Sequence, residues 1–170
     1  MSLSSRPGIL FILLGSQACA TAAGPGQCRI NVEIQAVKRV NVDADGAGLP
    51  TTMRFYQLKS LDKLKTATYD DLWNQAGQVL GDDVLDTQEV VVYPSQTHAA
   101  TLSVKDDANY FAVAAFFRTP KDVTWRTFTR LPPFGSIERC RADQPGGPYY
   151  FLLEGLTVQG STKPFPISDR

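Results

Sequence analysis

The sequence lacks the residues from which most metal sites and hydrolytic active sites are built. It contains a single histidine, His98, among 170 residues, which excludes a two-histidine metal site or a paired proton shuttle. Its three cysteines show no C-x-x-C spacing, and no serine lies in the strand-to-helix turn of a nucleophile elbow. The residues therefore give no positive support for an enzyme, a metal site, a cofactor or a small-molecule substrate.

The sequence also has no net charge. The 17 Lys and Arg residues are balanced by 17 Asp and Glu residues. There is no net positive field to attract a polyanion, and no basic stripe interleaved with aromatic residues. Nucleic acid is therefore not predicted as a partner.

The N-terminus has the order of features that is typical of an export signal. Arg6 supplies a positive charge, Ile9–Leu14 is a short apolar run, and small residues follow it. The run is too short to cross a bilayer as a permanent helix. We predict a signal peptide over 1–18, a flexible tether over 19–27 and one folded domain over 28–170.

Two kinds of cleavage fit the end of the signal. Ala18-Cys19 is compatible with a lipoprotein signal, in which Cys19 becomes the lipidated first residue, although Ser16 and Gln17 differ from the usual motif. Alternatively, an ordinary signal peptidase could read Ala18-Cys19-Ala20 as its small-x-small site and release a soluble protein.

The odd number of cysteines favours lipidation. If Cys19 carries a lipid, Cys28 and Cys140 remain as one pair. In an oxidising compartment this pair could form a disulfide, but the sequence does not show whether the two residues lie within reach, and both could stay reduced.

The chain after residue 28 is dominated by short alternating or apolar segments, which predict about seven strands: 29–40, 51–59, 87–93, 99–104, 110–118, 123–130 and 149–158. Between the second and third strands, apolar residues recur at spacings of three to five. This spacing predicts a short helical turn and then a helix ending near 77–81, with Ser60 and Thr68 as possible N-caps. The fold class is therefore an all-β sandwich with a helical insertion.

The connection between the first two predicted strands is longer than the two to five residues of an ordinary hairpin loop. It is rich in Asp and Gly and ends in proline. Long loops on a rigid β scaffold often carry binding function, so these residues are the candidate contact site. They are Asn41, Val42, Asp43, Ala44, Asp45, Gly46, Ala47, Gly48, Leu49 and Pro50.

The same loop copies the opening of a calcium-binding loop, with oxygen-bearing residues at Asn41, Asp43 and Asp45 and a glycine at Gly46. The match ends there, because the twelfth position holds Thr52 in place of a bidentate Glu, and the flanking segments are strands. A solvated Asp/Gly turn is the simpler interpretation.

Several large side chains on the predicted strands and helix have two possible roles. Aromatic residues at strand or helix spacing usually pack in a core, which we predict for Trp73, Phe116, Phe117 and Trp125. Three arginines among apolar residues could be sheet-face charges with buried stems or partners of the Asp-rich turns: Arg54, Arg118 and Arg126.

Several motifs together resemble the TssJ lipoproteins of the bacterial type VI secretion system. After the cysteine at the end of the signal come the Asp/Gly loop ending in Pro50, MRFYQLKS at 53–60, YDDLW at 69–73 and LGDD at 80–83. They are followed by YFAVAAFFR at 110–118 and Trp125-Arg126. The likeness covers most of the mature chain, and the order and spacing of these motifs carry it.

This resemblance implies a transthyretin-like two-sheet sandwich that is not an enzyme. It implies an acylated Cys19 in the inner leaflet of the outer membrane, with the domain facing the periplasm. It also implies that the loop Asn41–Pro50 docks onto the C-terminal periplasmic domain of the inner-membrane protein TssM. The alternative is a soluble periplasmic β-sandwich module that binds a small ligand or peptide.

Overall fold

The computed structural model describes residues 28–140 and 144–166. The predicted signal peptide, the tether and Cys19 lie outside these ranges. Two four-stranded sheets face each other, with two helices between the second and third strands. The elements are β1 Arg29–Val40, β2 Thr51–Leu58, α1 Asp62–Thr66, α2 Tyr69–Leu80, β3 Val84–Val92, β4 Thr97–Ser103, β5 Tyr110–Phe116, β6 Arg126–Arg130, β7 Gly146–Gly155 and β8 Thr157–Ser161. The predicted fold class is confirmed. No helix in the described ranges is both long and apolar enough to cross a membrane.

The first sheet has the strand order β4-β1-β7-β8. Its central strand β1 alternates between buried and more exposed residues, as the sequence pattern predicted. It pairs antiparallel with β4, from Arg29 opposite Ser103 to Gln35 opposite Thr97. On its other side it pairs parallel with β7. Strand β1 is therefore bonded along both edges.

The second sheet has the order β3-β2-β5-β6, and all its pairs are antiparallel. Strand β5 is apolar on both faces and almost wholly buried, which confirms its predicted place inside the sheet. Aromatic rings fill the space between the sheets. Phe55 stacks on Phe111 with ring centroids 5.7 Å apart, and Phe151 of the first sheet lies 6.0 Å from Phe111.

The two helices pack against the outer face of the second sheet through the buried side chains of Leu64 and Leu72. Thr68 is the N-cap of α2, as predicted. Its hydroxyl accepts a hydrogen bond from the Asp71 amide at 3.1 Å, and the Asp71 carboxylate accepts one from the Thr68 amide at 2.9 Å. Ser60 is not the N-cap of α1, which begins after Leu61.

Two of the predicted strands run across turns in the structure. The predicted strand 149–158 is two strands, β7 and β8, because Gly155 has φ +58° and reverses the chain between them. The predicted strand 123–130 begins only at Arg126. Residues before it form a turn in which Asp122 has φ +50°. Alternation alone did not show these turns, since the apolar spacing continues through both.

Cys28 and Cys140 form a disulfide with their Cα atoms 5.6 Å apart. The bond joins the residue before β1 to the long loop that leads into β7. Arg139, next to Cys140, is buried, and its guanidinium donates to the carbonyls of Lys105 and Pro132. This loop therefore covers the end of the sandwich at which β1 begins.

Candidate functional site

The loop 41–50 is closed at its base by one buried residue, Asn41. Its backbone N–H donates to the Gly155 carbonyl at 2.7 Å, and its side-chain amide donates to the Pro50 carbonyl at 3.0 Å. Its side-chain oxygen accepts a hydrogen bond from the Arg118 amide at 2.7 Å. Asn41 has φ +50°, a conformation that Asn tolerates better than most residues. It thus ties the start of the loop to the loop's end and to both sheets.

A turn inside the loop is organised by Asp43. One oxygen of its carboxylate accepts hydrogen bonds from the amides of Asp45 and Ala47, at 3.0 and 2.9 Å. Its own amide donates to the Ala47 carbonyl, and the Gly46 amide donates to the Asp43 carbonyl. This side chain mimics a backbone turn, which Asp does well. The loop therefore holds its shape through its own bonds.

The second half of the loop packs against the neighbouring turn between β3 and β4. A Cβ at Gly48 would lie 2.3 Å from the Lys38 carbonyl oxygen and 3.0 Å from Pro94 Cγ, so only glycine fits there. The Leu49 amide donates to the Val40 carbonyl at 3.0 Å. These contacts bring the two ends of the loop together, as in a compact surface loop.

The tip of the loop is small and exposed. Ala44, Asp45, Ala47 and Pro50 are exposed, while the other loop residues except Asn41 are partly buried. Leu49 is among these partly buried residues, so only part of its side chain is available to a partner. The structure brings the ten sequence-predicted residues together in one loop, in which four are exposed, five are partly buried and Asn41 is buried at the base.

The calcium-like spacing of the loop lies in a turn that the loop's own backbone bonds stabilise. The Asp43 oxygen that faces the loop interior already accepts two backbone hydrogen bonds. Within residues 28–140 and 144–166, no three His, Cys, Asp or Glu side chains are grouped as metal ligands. The resemblance to a calcium loop reflects a turn stabilised by Asp and Gly.

Two arginines that the sequence left undecided hold the helices on the second sheet. Arg54 bonds to the Glu89 carboxylate at 2.6 Å and donates to the carbonyls of Leu72 and Trp73, which precede a kink at Gln75. Arg126 donates to the carbonyls of three residues at the end of α1: Leu64, Lys65 and Ala67. Both arginines thus bind backbone carbonyls of the helical segment from the sheet.

Aromatic residues complete this attachment. Trp73 packs against Phe116 with centroids 4.9 Å apart, and the Arg54 guanidinium lies over both rings. The Tyr69 hydroxyl donates to the Phe117 carbonyl at 2.6 Å, and burial raises the pKa of Tyr69 so that it keeps its proton. Phe116, Phe117 and Trp125 are buried as predicted, whereas Trp73 is 44% exposed.

A partly enclosed cavity of about 170 Å³ lies between the edge strands β6 and β8, beside Tyr149 and Phe151. Pockets for ligands of drug size usually measure about 300–1,000 Å³. Larger depressions on the outer faces, such as the one beside Trp73 and α2, are open grooves. Among the described residues, these two depressions are therefore a small cavity and an open groove.

A family of known proteins matches most of the chain that forms the sandwich. The model of the family described as type VI secretion lipoproteins, including VasD, EvfM and TssJ, matches residues 28–142. None of the curated proteins matches the chain significantly.

Three solved structures that are described as parts of type VI secretion systems share this fold. The T6SS lipoprotein TssJ1 from Pseudomonas aeruginosa is 21% identical with a TM-score of 0.70, over 82% of this chain and 99% of that one. A chain of a type VI membrane complex is 25% identical with a TM-score of 0.65, over 78% and 96% of the two chains. A structure described as the TssM C-terminal domain from EAEC matches at 25% identity and a TM-score of 0.63, over 82% and 98%.

The family model spans well over half of the chain and runs from the residue before β1 through β6 to the disulfide loop. The sandwich fold is shared with the solved TssJ1 structure. The chain therefore belongs to the type VI secretion lipoprotein family that includes TssJ.

Proposed function

We propose that this protein is a non-enzymatic structural component that tethers the type VI secretion membrane complex to the outer membrane. Cys19 carries the lipid, the sandwich faces the periplasm, and the loop 41–50 binds the periplasmic C-terminal domain of a TssM-like inner-membrane protein. The observation that carries the proposal is the loop itself, whose tip is exposed while its base is bonded to both sheets.

The geometry of the loop suits capture of a folded partner. Ala44, Gly46 and Ala47 have no long side chains, so a partner backbone can approach closely. The internal bonds of Asp43 and Asn41 fix the loop before binding. A preorganised loop loses little conformational entropy when it binds, which favours affinity.

Two of the solved structures support a TssM-like partner. One is described as a type VI membrane complex and the other as the C-terminal domain of TssM, and both contain chains similar to this one over at least 96% of their length. Those descriptions concern the other proteins. For this chain they support the partner class within the proposal.

The proposed anchor has to resist extraction. A single acyl chain binds a bilayer only marginally, and stable anchoring takes more than one chain. A Cys19 with several acyl chains would meet this requirement. Membrane fractionation of the wild type and Cys19→Ser tests it, with movement to the soluble fraction expected for the variant. Recovery of both proteins in the soluble fraction would instead support a soluble periplasmic module, which does not need Cys19.

Partner capture is tested by deleting 43–48. The deletion removes the tip but keeps Asn41 and the Leu49 amide that close the base. Co-purification with the TssM-like domain should be lost, while the thermal unfolding transition stays cooperative. Undiminished capture by the folded deletion variant would contradict the assignment of the loop.

A further inference from the structure

We propose that the tip of the disulfide-bonded loop, residues 133–137, is a membrane-contact surface that lies in the headgroup region of the bilayer to which Cys19 is anchored. The contact orients the sandwich so that the loop 41–50 is directed away from that bilayer. This inference rests on the proposed function, because it takes Cys19 as the anchored residue.

The tip carries apolar side chains that the sandwich leaves uncovered. Phe134 is 59% exposed and Ile137 is 70% exposed, the largest fraction among the large apolar side chains of the described residues. Pro133 and Gly135 are exposed as well. Single exposed apolar residues are common on soluble proteins, but here two large ones share one short turn. Apolar side chains clustered in this way are typical of a surface that another body covers.

The shape of the tip is fixed by bonds within the loop. The Ser136 amide donates to the Pro133 carbonyl at 3.1 Å, and the Arg139 amide donates to the Ser136 carbonyl at 3.2 Å. The guanidinium of the buried Arg139 lies over the Phe134 ring, 5.7 Å from its centroid. The next residue, Cys140, is held by the disulfide. A preorganised tip loses little conformational entropy when it makes a contact.

The tip lies at the end of the sandwich at which the tether enters. The disulfide places the Cα atom of Cys140 5.6 Å from that of Cys28, the residue before β1. Arg139 donates to the carbonyl of Lys105, in the turn that follows β4 at the same end. The loop 41–50 begins at the other end of β1, whose twelve residues span about 40 Å at 3.3 Å per residue. A bilayer beneath the tip is therefore far from the proposed partner site.

The length of the tether identifies the bilayer as the occupant of this surface. Nine residues lead from Cys19 to Cys28, and they span about 30 Å at most when fully extended. A short linker of this kind keeps the tip at an effective concentration of roughly millimolar with respect to the bilayer. An apolar contact too weak to bind a bilayer by itself is then sufficient, whereas the proposed partner binds at the opposite end.

The attraction comes from the apolar side chains, because the charges on this end of the sandwich have both signs. Its exposed charged residues include Arg29, Lys105 and Arg130 together with Asp106, Asp107 and Glu138. Such a mixture has no large field of one sign with which to attract anionic headgroups. Aromatic and aliphatic side chains bind at the boundary between headgroups and acyl chains, about 5–10 Å deep. The ligand is therefore a phospholipid surface in general.

Quenching of tryptophan fluorescence by lipid tests the contact. The chain from Cys19 onward is coupled through the Cys19 thiol to a maleimide lipid in vesicles of phosphatidylethanolamine and phosphatidylglycerol, with or without bromine on the acyl chains. The disulfide occupies the other two cysteines. Phe134→Trp places the probe at the tip. Tyr93→Trp is the matched control, because Tyr93 is exposed and precedes Pro94, which packs against Gly48 of the loop 41–50. The wild type, with its two tryptophans, gives the baseline.

Brominated lipid should quench about half or more of the fluorescence that Phe134→Trp adds, since an interfacial side chain reaches the outer part of the acyl chains. The fluorescence that Tyr93→Trp adds should not be quenched. Equal quenching at the two positions, or none at either, would overturn the inference. Protection of Phe134→Trp from aqueous iodide without quenching by lipid would assign the tip to the tether or to a second copy, and would overturn it as well.

A second substitution in the Phe134→Trp chain tests whether the apolar neighbour contributes. Ile137→Ser should lower the quenched fraction at least about twofold, because it removes apolar area from the contact. Val123→Ser is its control: Val123 is 65% exposed and lies in the connection whose Arg118 amide bonds to Asn41. Thermal unfolding checks that both variants keep the fold. Equal effects of the two substitutions on quenching would contradict a contact made by the tip.

The two proposals fail in separate experiments. Chemical coupling holds Cys19 at the bilayer whether or not the cell attaches a lipid to it. Absence of lipidation is read from the fractionation of Cys19→Ser, and absence of the membrane contact is read from the quenching of Phe134→Trp.

Discussion

Two long connections flank strand β2, and they are held in opposite ways. The loop 41–50 before β2 bonds to its own backbone and to the strand ends, and its small tip residues face solvent. The helical segment 60–83 after β2 lies on the outer face of the second sheet. It is fastened there by Arg54, Arg126 and buried leucines.

The comparison shows that the length of a connection does not by itself mark a binding site. Both segments exceed an ordinary hairpin loop. The helical segment uses its large side chains to cover its own sheet, whereas the loop has few large side chains and leaves its tip uncovered. The exposed tip of the loop 41–50 makes few contacts with the rest of the fold, so it stays accessible to a partner.

The largest effect on stability is expected in the helical segment. Leu72→Ala removes a fully buried side chain between α2 and the sheet and should lower the free energy of unfolding by about 3 kcal/mol. Chemical denaturation measures the loss. The exposed Gln78→Ala on the same helix is the control and should change stability by less than about 0.5 kcal/mol.

Leu72→Ala also tests the contrast between the two segments. Well below its lowered unfolding temperature, the variant should bind the TssM-like domain with wild-type affinity, because α2 is not part of the proposed contact. Markedly weaker binding by the folded variant would show that the helical segment contributes to the partner surface.

A smaller loss of folding stability is expected at Asn41, which contributes both to the stability of the fold and to the shape of the loop 41–50. Asn41→Ala removes two side-chain hydrogen bonds in a buried site and places Ala at a positive φ. It should cost about 2 kcal/mol of stability and also weaken partner binding, because the loop base loosens. Asn41→Gly keeps the backbone freedom and separates the hydrogen bonds from the φ effect. A variant with normal stability and binding would contradict the role of Asn41.

The smallest effect concerns the pH response of α2. The Thr68 amide donates to the Asp71 carboxylate, which lowers the pKa of Asp71 below its ordinary value of 3.8. A lowered folded-state pKa means that this stabilisation is present above about pH 4 and is lost as the pH falls through the folded value. The small stability advantage of the wild type over Asp71→Asn should therefore shrink between pH 6 and pH 2. Thermal unfolding of both proteins at pH 6 and at pH 2 measures this difference in stability. A difference that stays the same at the two pH values would contradict the capping role of Asp71.

The sequence predicted those parts of the fold in which apolar residues recur at a regular spacing or in which turn residues cluster. The bounds of β1, the buried character of β5, the helical segment and the Asp/Gly loop follow from apolar spacing and turn residues. The turn at Gly155 was missed because apolar residues continue on both sides of it. The carbonyls bonded by Arg54 lie 18 and 19 residues away along the chain, and those bonded by Arg126 lie 59 to 62 residues away, beyond what local spacing can show.

The loop 41–50 could be singled out from the sequence as a candidate site, but its internal structure could not be predicted. Its length and its Asp and Gly content marked it, whereas the side-chain bonds of Asn41 to Pro50 and Arg118 depend on the meeting of the two sheets. The same limit applies to the disulfide, since cysteine count alone left the pair open and the approach of Cys28 to Cys140 depends on the fold.

The central claim is tested most directly by calorimetric titration of the TssM-like periplasmic domain into Ala47→Arg and a matched variant, Ala99→Arg. Both alanines are exposed, one at the loop tip and one on β4. We expect affinity to fall at least thirtyfold, about 2 kcal/mol, for Ala47→Arg and to stay at the wild-type value for Ala99→Arg. Equal affinity of both variants would contradict the assignment of partner binding to the loop 41–50.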